Sequence, residues 1–316
     1  MENVLGQIFN ILIFPGFLFL AVFGLGVEYI DRKLYARLQN RVGPPWYQPF
    51  ADFVKLLAKE DIIPEEADAT VFKMMPVFAI AGSVTAFMCI PIWGEHALFS
   101  FQGDVIVVLY LLTIPTLAYF LGGWYSRSVY SMIGAVRSLT QLFAYEVPLF
   151  MCILAAALLA NTWSLSEMIV FYSEHPGFWV FNLIGFVISL LALLGKLERT
   201  PFDIPEAETE IVAGVFTEYS GRFLAFFRMA LDIELVVGAS LLAAVFLPFW
   251  FTPFPVIGFL VFTLKTLFVV VLVCLAHVVF ARLRLDQMIN LCWKYFAPLA
   301  FLQILINLFI KGMLVR

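Results

Sequence analysis

The chain has 316 residues, 63% of them hydrophobic and 13% charged, with a mean hydropathy of +0.96 and a formal net charge of -4. A water-soluble domain carries about twice that charged share, so a soluble enzyme is excluded and no nucleic-acid partner is expected. The small net charge averages a cationic face with acidic groups placed elsewhere, and by itself it selects no partner.

A bilayer core takes about 20 apolar residues per helix, and eight stretches qualify. In chain order they are Ile8 to Ile30, Met74 to Trp93, Val105 to Tyr125, a fourth centred on Val147 to Trp163, Phe178 to Gly195, Phe223 to Phe246, Val256 to Ala281 and Tyr295 to Ile310. The first lacks basic residues before it and has no clear cleavage site, so it reads as a retained span. Without linker, repeat or low-complexity run, residues 1–316 read as a single polytopic all-α membrane domain.

Of the 19 Lys and Arg, 15 fall in or beside the connections after spans one, three, five and seven, and none in the three opposite loops. Cations near helix ends stay on the cytoplasmic side. This pattern predicts a cytoplasmic-membrane protein with both termini outside, where Lys311 and Arg316 are the only cations. The outer loops read as short.

Cys89, Cys152, Cys274 and Cys292 stand singly in apolar surroundings, the pattern of small buried hydrophobes rather than of a zinc or iron–sulfur site. His96 and His175 fall in outer loops and His277 toward the inner end of span seven, so a bis-His haem inside the bilayer is not expected. No metal ligand set is assigned, and redox chemistry is expected of partners.

The first inner connection, Asp31 to Lys73, opens on a stiff turn at Arg41, Val42, Gly43, Pro44 and Pro45. Gln48 to Glu60 then places Phe50, Phe53, Val54 and Leu57 on one helical face and Asp52, Lys55 and Lys59 on another. This in-plane amphipathic helix serves either as a lipid anchor or as a docking platform for a soluble subunit.

The second, Lys196 to Arg222, is acidic: Asp203, Glu206, Glu208, Glu210 and Glu218. Asp203 with Glu206 three residues on is a helix-start pattern. A helix begun there gathers Glu206, Glu210, Ala213, Gly214 and Thr217 in one small, polar arc, and like charges one turn apart raise at least one carboxyl pKa. The plain alternative is that these acids cap a helix end and meet solvent. Against it stand Glu28 near the inner end of span one, Glu146 where span four enters the membrane, and Arg228, Asp232 and Glu234 within span six. Ionisable groups at membrane depth cost about 2.5–3.5 kcal/mol each on insertion scales and usually mark an ion path. Arg228 and Asp232, four apart, can pair on one helix face. Lys265 on span seven meets either an acid of span six or an adjoining subunit.

At these residues the chain resembles the family of the complex I H subunit, the membrane component called subunit 1 in mitochondria, with counterparts in energy-converting membrane-bound hydrogenases and related archaeal oxidoreductases. The resemblance runs nearly end to end. It is carried by Asp31-Arg32-Lys33 with Gln39 to Pro44, by Gln48-Pro49-Phe50-Ala51-Asp52 with Lys55 and Lys59-Glu60, by Ile133-Gly134-Ala135 with Arg137 and Tyr145-Glu146, and by Arg199 to Glu210 with Glu218-Tyr219. It implies an eight-helix subunit linking cluster-bearing soluble subunits to antiporter-like membrane subunits, with an acid-lined water path beneath a quinone chamber. The implied proton-path residues are Glu146, Asp203, Glu206, Glu208, Glu210 and Glu218. Arg37, Arg41, Asp52, Lys55 and Arg199 are implied at the chamber mouth or docking face. Iron–sulfur clusters, and a nickel–iron centre or quinone, are implied in or with partner subunits.

Two departures from the quinone-reducing members matter. Phe226-Phe227-Arg228-Met229-Ala230-Leu231-Asp232 replaces Phe-Phe-Met-Ala-Glu-Tyr, so the family's acid on span six is absent or displaced to Asp232; and Pro44-Pro45-Trp46 stands where many have Gly-Pro-Asn. Ile204-Pro205-Glu206-Ala207-Glu208 looks more like the archaeal hydrogenase and sulfur-reductase members. The expectation is therefore a proton-path and coupling subunit of such a complex, with a quinone-binding membrane subunit of an NADH or ferredoxin:quinone oxidoreductase as the alternative. A free-standing transporter is a further alternative, against which the chain lacks paired, broken helices in two related halves. A third is an inert anchor.

Overall fold

The computed structural model describes residues 4–94, 97–248 and 254–314, apart from the side chains of residues 4, 5, 208 and 314. His96 and Arg316 lie outside the described residues, as does the side chain of Glu208. The described residues form helices and no strand. The helices are α1 (Val4–Leu12), α2 (Phe17–Leu38), α3 (Gln48–Leu57), α4 (Ala69–Met88), α5 (Asp104–Tyr125), α6 (Val129–Ala160), α7 (Leu165–Glu174), α8 (Leu183–Lys196), α9 (Glu208–Ile211), α10 (Gly221–Phe246), α11 (Pro255–Val279), α12 (Leu285–Leu291) and α13 (Ala297–Leu314).

Eight stretches are long and apolar enough to cross a membrane, the number expected from hydropathy. Their ends differ from the apolar boundaries because charged residues with long, unbranched stems are good helix formers. Thus α2 runs past Ile30 through Asp31 and Arg32 to Leu38, braced by an i,i+4 ion pair between Glu28 and Arg32. The fourth span begins at Val129 rather than near Val147, and the last helical stretch begins at Leu285 rather than Tyr295. The loop after the fourth span is not short: it holds α7, whose Leu165, Met168, Ile169 and Tyr172 are buried.

At the centre stands α10, whose apolar window is 89% buried, against 22% for the seventh and eighth spans on the periphery. The ends of α2 and α6, the surface helix α3 and residues 197–220 gather at one end of the bundle, here the charged end. The in-plane helix forms as its periodicity predicts: Phe53 packs on the core, Phe50, Val54 and Leu57 stay exposed, and Asp52 accepts hydrogen bonds from Gln48 Nε2 (3.0 Å) and Arg32 Nη1 (2.9 Å).

Residues 197–207 turn into the bundle rather than lie on its surface. Gln141 Nε2, 12 residues and so about 18 Å along α6 from its first residue, donates to the carbonyls of Gly195 (2.6 Å) and Phe202 (2.8 Å). The short α8 therefore stops inside the bundle and the chain returns as a re-entrant loop with Leu197, Phe202, Ile204 and Ala207 buried. Irregular backbone at such depth persists only where protein satisfies its polar groups. Besides Gln141, the carbonyl of Pro201 accepts from Leu283 N (2.9 Å) and that of Ile204 from Arg137 Nη1 (3.5 Å).

Candidate functional site

The helix expected from Asp203 through Thr217 does not form. One helical turn, Glu208–Ile211, and one 3-10 turn, Gly214–Phe216, are separated by Val212 at φ +62. Pro201 and Pro205 push the residues before them away from the helical region. Gly214, at φ +51, lies so close to Pro205 O that there is no room for a Cβ, and a Cβ on Gly134 of α6 would strike Gly214 Cα at 2.8 Å. Backbone-to-backbone contact with α6, rather than helical periodicity, shapes this segment, and Glu206 and Glu210 consequently share no helical face.

Their partners are cations from elsewhere. Glu206 pairs with Arg228 of α10 (3.2 Å), and Asp203 with Arg282 (3.2 Å). Glu210 pairs with Arg137 of α6 (2.7 Å) and lies 3.8 Å from Arg282. It is exposed, and the hydrogen bond from Arg137 holds its carboxyl below the usual range. Arg228 and Asp232, which can pair by spacing, form no ion pair among the described residues; Arg228 pairs with Glu206 instead.

Two cavities, each of about 250 Å³, open at this end and share Glu28, Arg32, Arg228 and Asp232 in their walls. The one between α2, α3 and α10 adds Asp52, Lys55 and Lys59; the one against the loop adds Asp31, Glu198, Arg199 and Glu206. Each has room for several waters. Asp31 is buried and ion-paired with Arg199, and Asp232 and Glu28 line both cavities.

Glu198, which the sequence reading passed over, is the most deeply enclosed acid of the loop. It is 6% exposed, accepts from Ser138 Oγ (2.5 Å), and leaves Oε2 without a hydrogen-bond partner. Burial raises its carboxyl to about 8, the Ser138 hydrogen bond opposing the rise. Its only sequence signal is its place between Lys196 and Arg199, which reads as ordinary surface neutralisation.

Deeper in the bundle, Lys196 Nζ lies 2.8 Å from Glu234 Oε1, with side chains 3% and 0% exposed. Tyr119 donates to Glu234 Oε2 (3.2 Å), Lys196 also donates to Leu112 O, and Tyr145 shares a 3.1 Å hydrogen bond with Thr116. Glu146 lies near the middle of α6, half-buried and within electrostatic reach of Lys196, rather than at the membrane entrance.

The profile of the NADH dehydrogenase family matches residues 9–308. The H subunit of NADH-quinone oxidoreductase from Bacillus thuringiensis is 37% identical over 321 residues, 96% of this chain and 95% of its own length. Subunit 8 of the Thermus thermophilus enzyme is 35% identical over 88% of this chain and 80% of its own length. The H subunit of the Carboxydothermus hydrogenoformans enzyme is 34% identical over 93% and 85%. The chain belongs to this H-subunit family. A chain of the membrane-bound sulfane sulfur reductase, an archaeal respiratory membrane complex, matches the fold with a TM-score of 0.82 at 25% identity, covering 92% of this chain and 96% of that one. The protein is thus a multi-pass membrane chain of the H-subunit type, and its relatives are subunits of multi-subunit membrane oxidoreductases.

On this fold, Asp31, Arg199, Glu28, Glu206, Arg228 and Asp232 converge at the cavities together with Asp52 and Lys55. Arg37 and Arg41 are exposed at the end of α2 and just beyond it, Arg41 bonded to Gln39. Glu218 is half-buried beside Tyr219, which stacks on Phe72 at 4.0 Å. Lys265 lies in the wall of a cavity of about 1040 Å³ with Tyr172, Trp179, Leu247 and Phe268.

Proposed function

We propose that this chain is the proton-path and coupling subunit of a complex-I-like oxidoreductase, and that the carboxyl groups around the two cavities hold and pass protons in response to charge changes at a redox centre in a partner. The observation that carries this reading is Glu198, a buried carboxyl raised to about 8 in a cavity wall that also holds Asp31, Glu206 and Asp232. A group poised near neutrality gains or loses its proton for a small change in local potential, one pKa unit being about 1.36 kcal/mol. Partner charge changes of that order shift its occupancy, and the neighbouring Glu28–Asp232 pair receives the proton through shared water. Clusters, and a nickel–iron centre where the partner has one, belong to the soluble subunits docking at the charged end; antiporter-like subunits receive the protonation change laterally. The clustering of cations at that end supports its facing the cytoplasm, with both termini outside.

The test is Glu198→Gln in the purified complex, reconstituted in vesicles. Ions moved per electron should fall at least tenfold while the complex remains assembled; an unchanged ratio refutes the reading. For the terminal acceptor, we favour a hydrogenase- or sulfur-reductase-type complex, on the Ile204 to Glu208 segment and the fold shared with the sulfane sulfur reductase chain. Identities of 34–37% with NADH-quinone oxidoreductase subunits favour a second reading, a quinone reductase. Seven ionisable residues line the cavity under α3, which fits water better than a quinone ring and its apolar tail. Activity of the isolated complex that required added quinone would select the second reading.

A further inference from the structure

We propose that Lys196 is the mobile cation of this path, held by Glu234 in the state seen here and transferred to Glu146 when Glu234 takes up a proton. The inference rests on the proton-path reading above and extends it past the charged end into the membrane-spanning part. Glu234 is residue 14 of the 26 in α10, near mid-span, and its pair with Lys196 is sealed from solvent. Removing such a pair in favour of apolar side chains is commonly neutral or stabilising, so stability alone does not explain its presence.

The surroundings provide two positions for the ammonium. Lys196 ends α8, immediately before the loop that carries Glu198, and its flexible four-carbon stem moves a compact charge with three donors. One donor goes to Glu234 and another to Leu112 O. That carbonyl, three residues before Pro115, has a second lone pair to offer beside its helical hydrogen bond. On the other side, the ammonium is 6.0 Å from the centroid of the Tyr145 ring, and the next residue, Glu146, feels its charge. Tyr119 keeps Glu234 in place from α5 with its hydroxyl. Once a proton from the charged end neutralises Glu234, the ammonium, its own charge unchanged, exchanges that carboxyl for Glu146 while Leu112 O retains a donor. One positive charge has then shifted from α10 toward α6, and deprotonation of Glu234 reverses it.

Two variants of the assembled complex test this. Lys196→Met/Glu234→Gln removes both charges and leaves Tyr119 an acceptor, so a purely structural pair predicts a complex that pumps normally. The proposal predicts that ions moved per electron fall at least tenfold in that variant. Lys196→Arg keeps the pair but replaces the swinging ammonium with a planar fork that stays on its carboxylate; a several-fold fall is expected. Wild-type ratios in either variant overturn the proposal. Glu198→Gln, run in parallel, separates the two levels: if it abolishes pumping while the Lys196 variants pump normally, only the mobile cation is lost, whereas normal pumping in Glu198→Gln removes the proton path itself.

Discussion

Two buried polar clusters occupy different places in the same bundle and solve the cost of burial in different ways. In one, where α6, α7 and α13 meet the 3-10 turn Pro176–Asn182, the groups are neutral. Gln303 Nε2 donates to Phe181 O (2.5 Å), Asn182 Oδ1 (3.2 Å) and Asn307 Oδ1 (3.1 Å). Asn307 Nδ2 donates to Ala155 O and Asn182 Oδ1 (both 2.8 Å), and Asn182 Nδ2 to Tyr172 Oη (2.7 Å), which donates to Ala156 O (2.8 Å). Amides do not titrate, so this knot ties helices together at every pH. At the charged end, carboxyl groups line water-sized space, and Asp31 Oδ1 and Glu198 Oε2 have no hydrogen-bond partner. There the polarity is left able to change its protonation. On the proposed reading, one cluster holds the helices and the other responds.

The largest effect should come from leaving a charge alone. Arg199→Met strands the buried Asp31 carboxylate, and breaking a buried pair costs about 3–5 kcal/mol; thermal unfolding of the purified complex in detergent should show the loss. Asn307→Leu removes the donor to Ala155 O and one of the two donors to Asn182 Oδ1, which keeps Gln303 Nε2, a loss of about 1–3 kcal/mol in all. Here the loss should be the same at pH 6 and pH 9. A pH-dependent deficit in the amide variant would remove the distinction between the clusters.

Hydropathy made the eight spans and α3 legible, because a bilayer solvent demands length and apolarity that no other structure needs. It could not show that α2 and the fourth span continue through charged residues, since those ions are paid for by partners far away in sequence. The acidic loop was legible as a site through its composition, yet its helix was not real: Pro205 and the Gly134–Gly214 contact override local periodicity. Glu198 and Lys196 escaped notice for one reason. Their burial follows from Gln141 drawing the loop inward, a contact across 54 residues, and no local pattern announces that α8 stops short. The amide knot, spread over residues 155 to 307, is invisible to any sequence window.

A smaller effect separates the clusters through titration. Burial raises Glu198 to about 8, whereas the unfolded chain ionises near the ordinary carboxylate value of about 4.3. Between those values the folded state binds a proton that the unfolded state has released, so this group's contribution to stability falls as pH rises, and levels off above about pH 8. Glu198→Gln should remove that decline and leave the variant more heat-resistant than the parent at pH 9, while the two converge near pH 4. A parallel pair of melting curves across this window would place the titration on another residue.

The smallest effect is expected at Glu210, although it stands in the same acidic segment. Its side chain is 53% exposed and faces Arg137 and Arg282. Arg137 lowers its carboxyl, so it is ionised throughout the neutral range and has no proton to pass there. An exposed pair of this kind contributes about 0–1 kcal/mol, reduced further by salt. Glu210→Gln should therefore shift the melting temperature by a degree or two at most and leave ions moved per electron within twofold of the parent. A large pumping defect would mean that protons enter along the outer surface of the loop, through Glu210 and Arg137, before reaching Glu198, and the boundary of the responsive cluster would have to be drawn one residue shell further out.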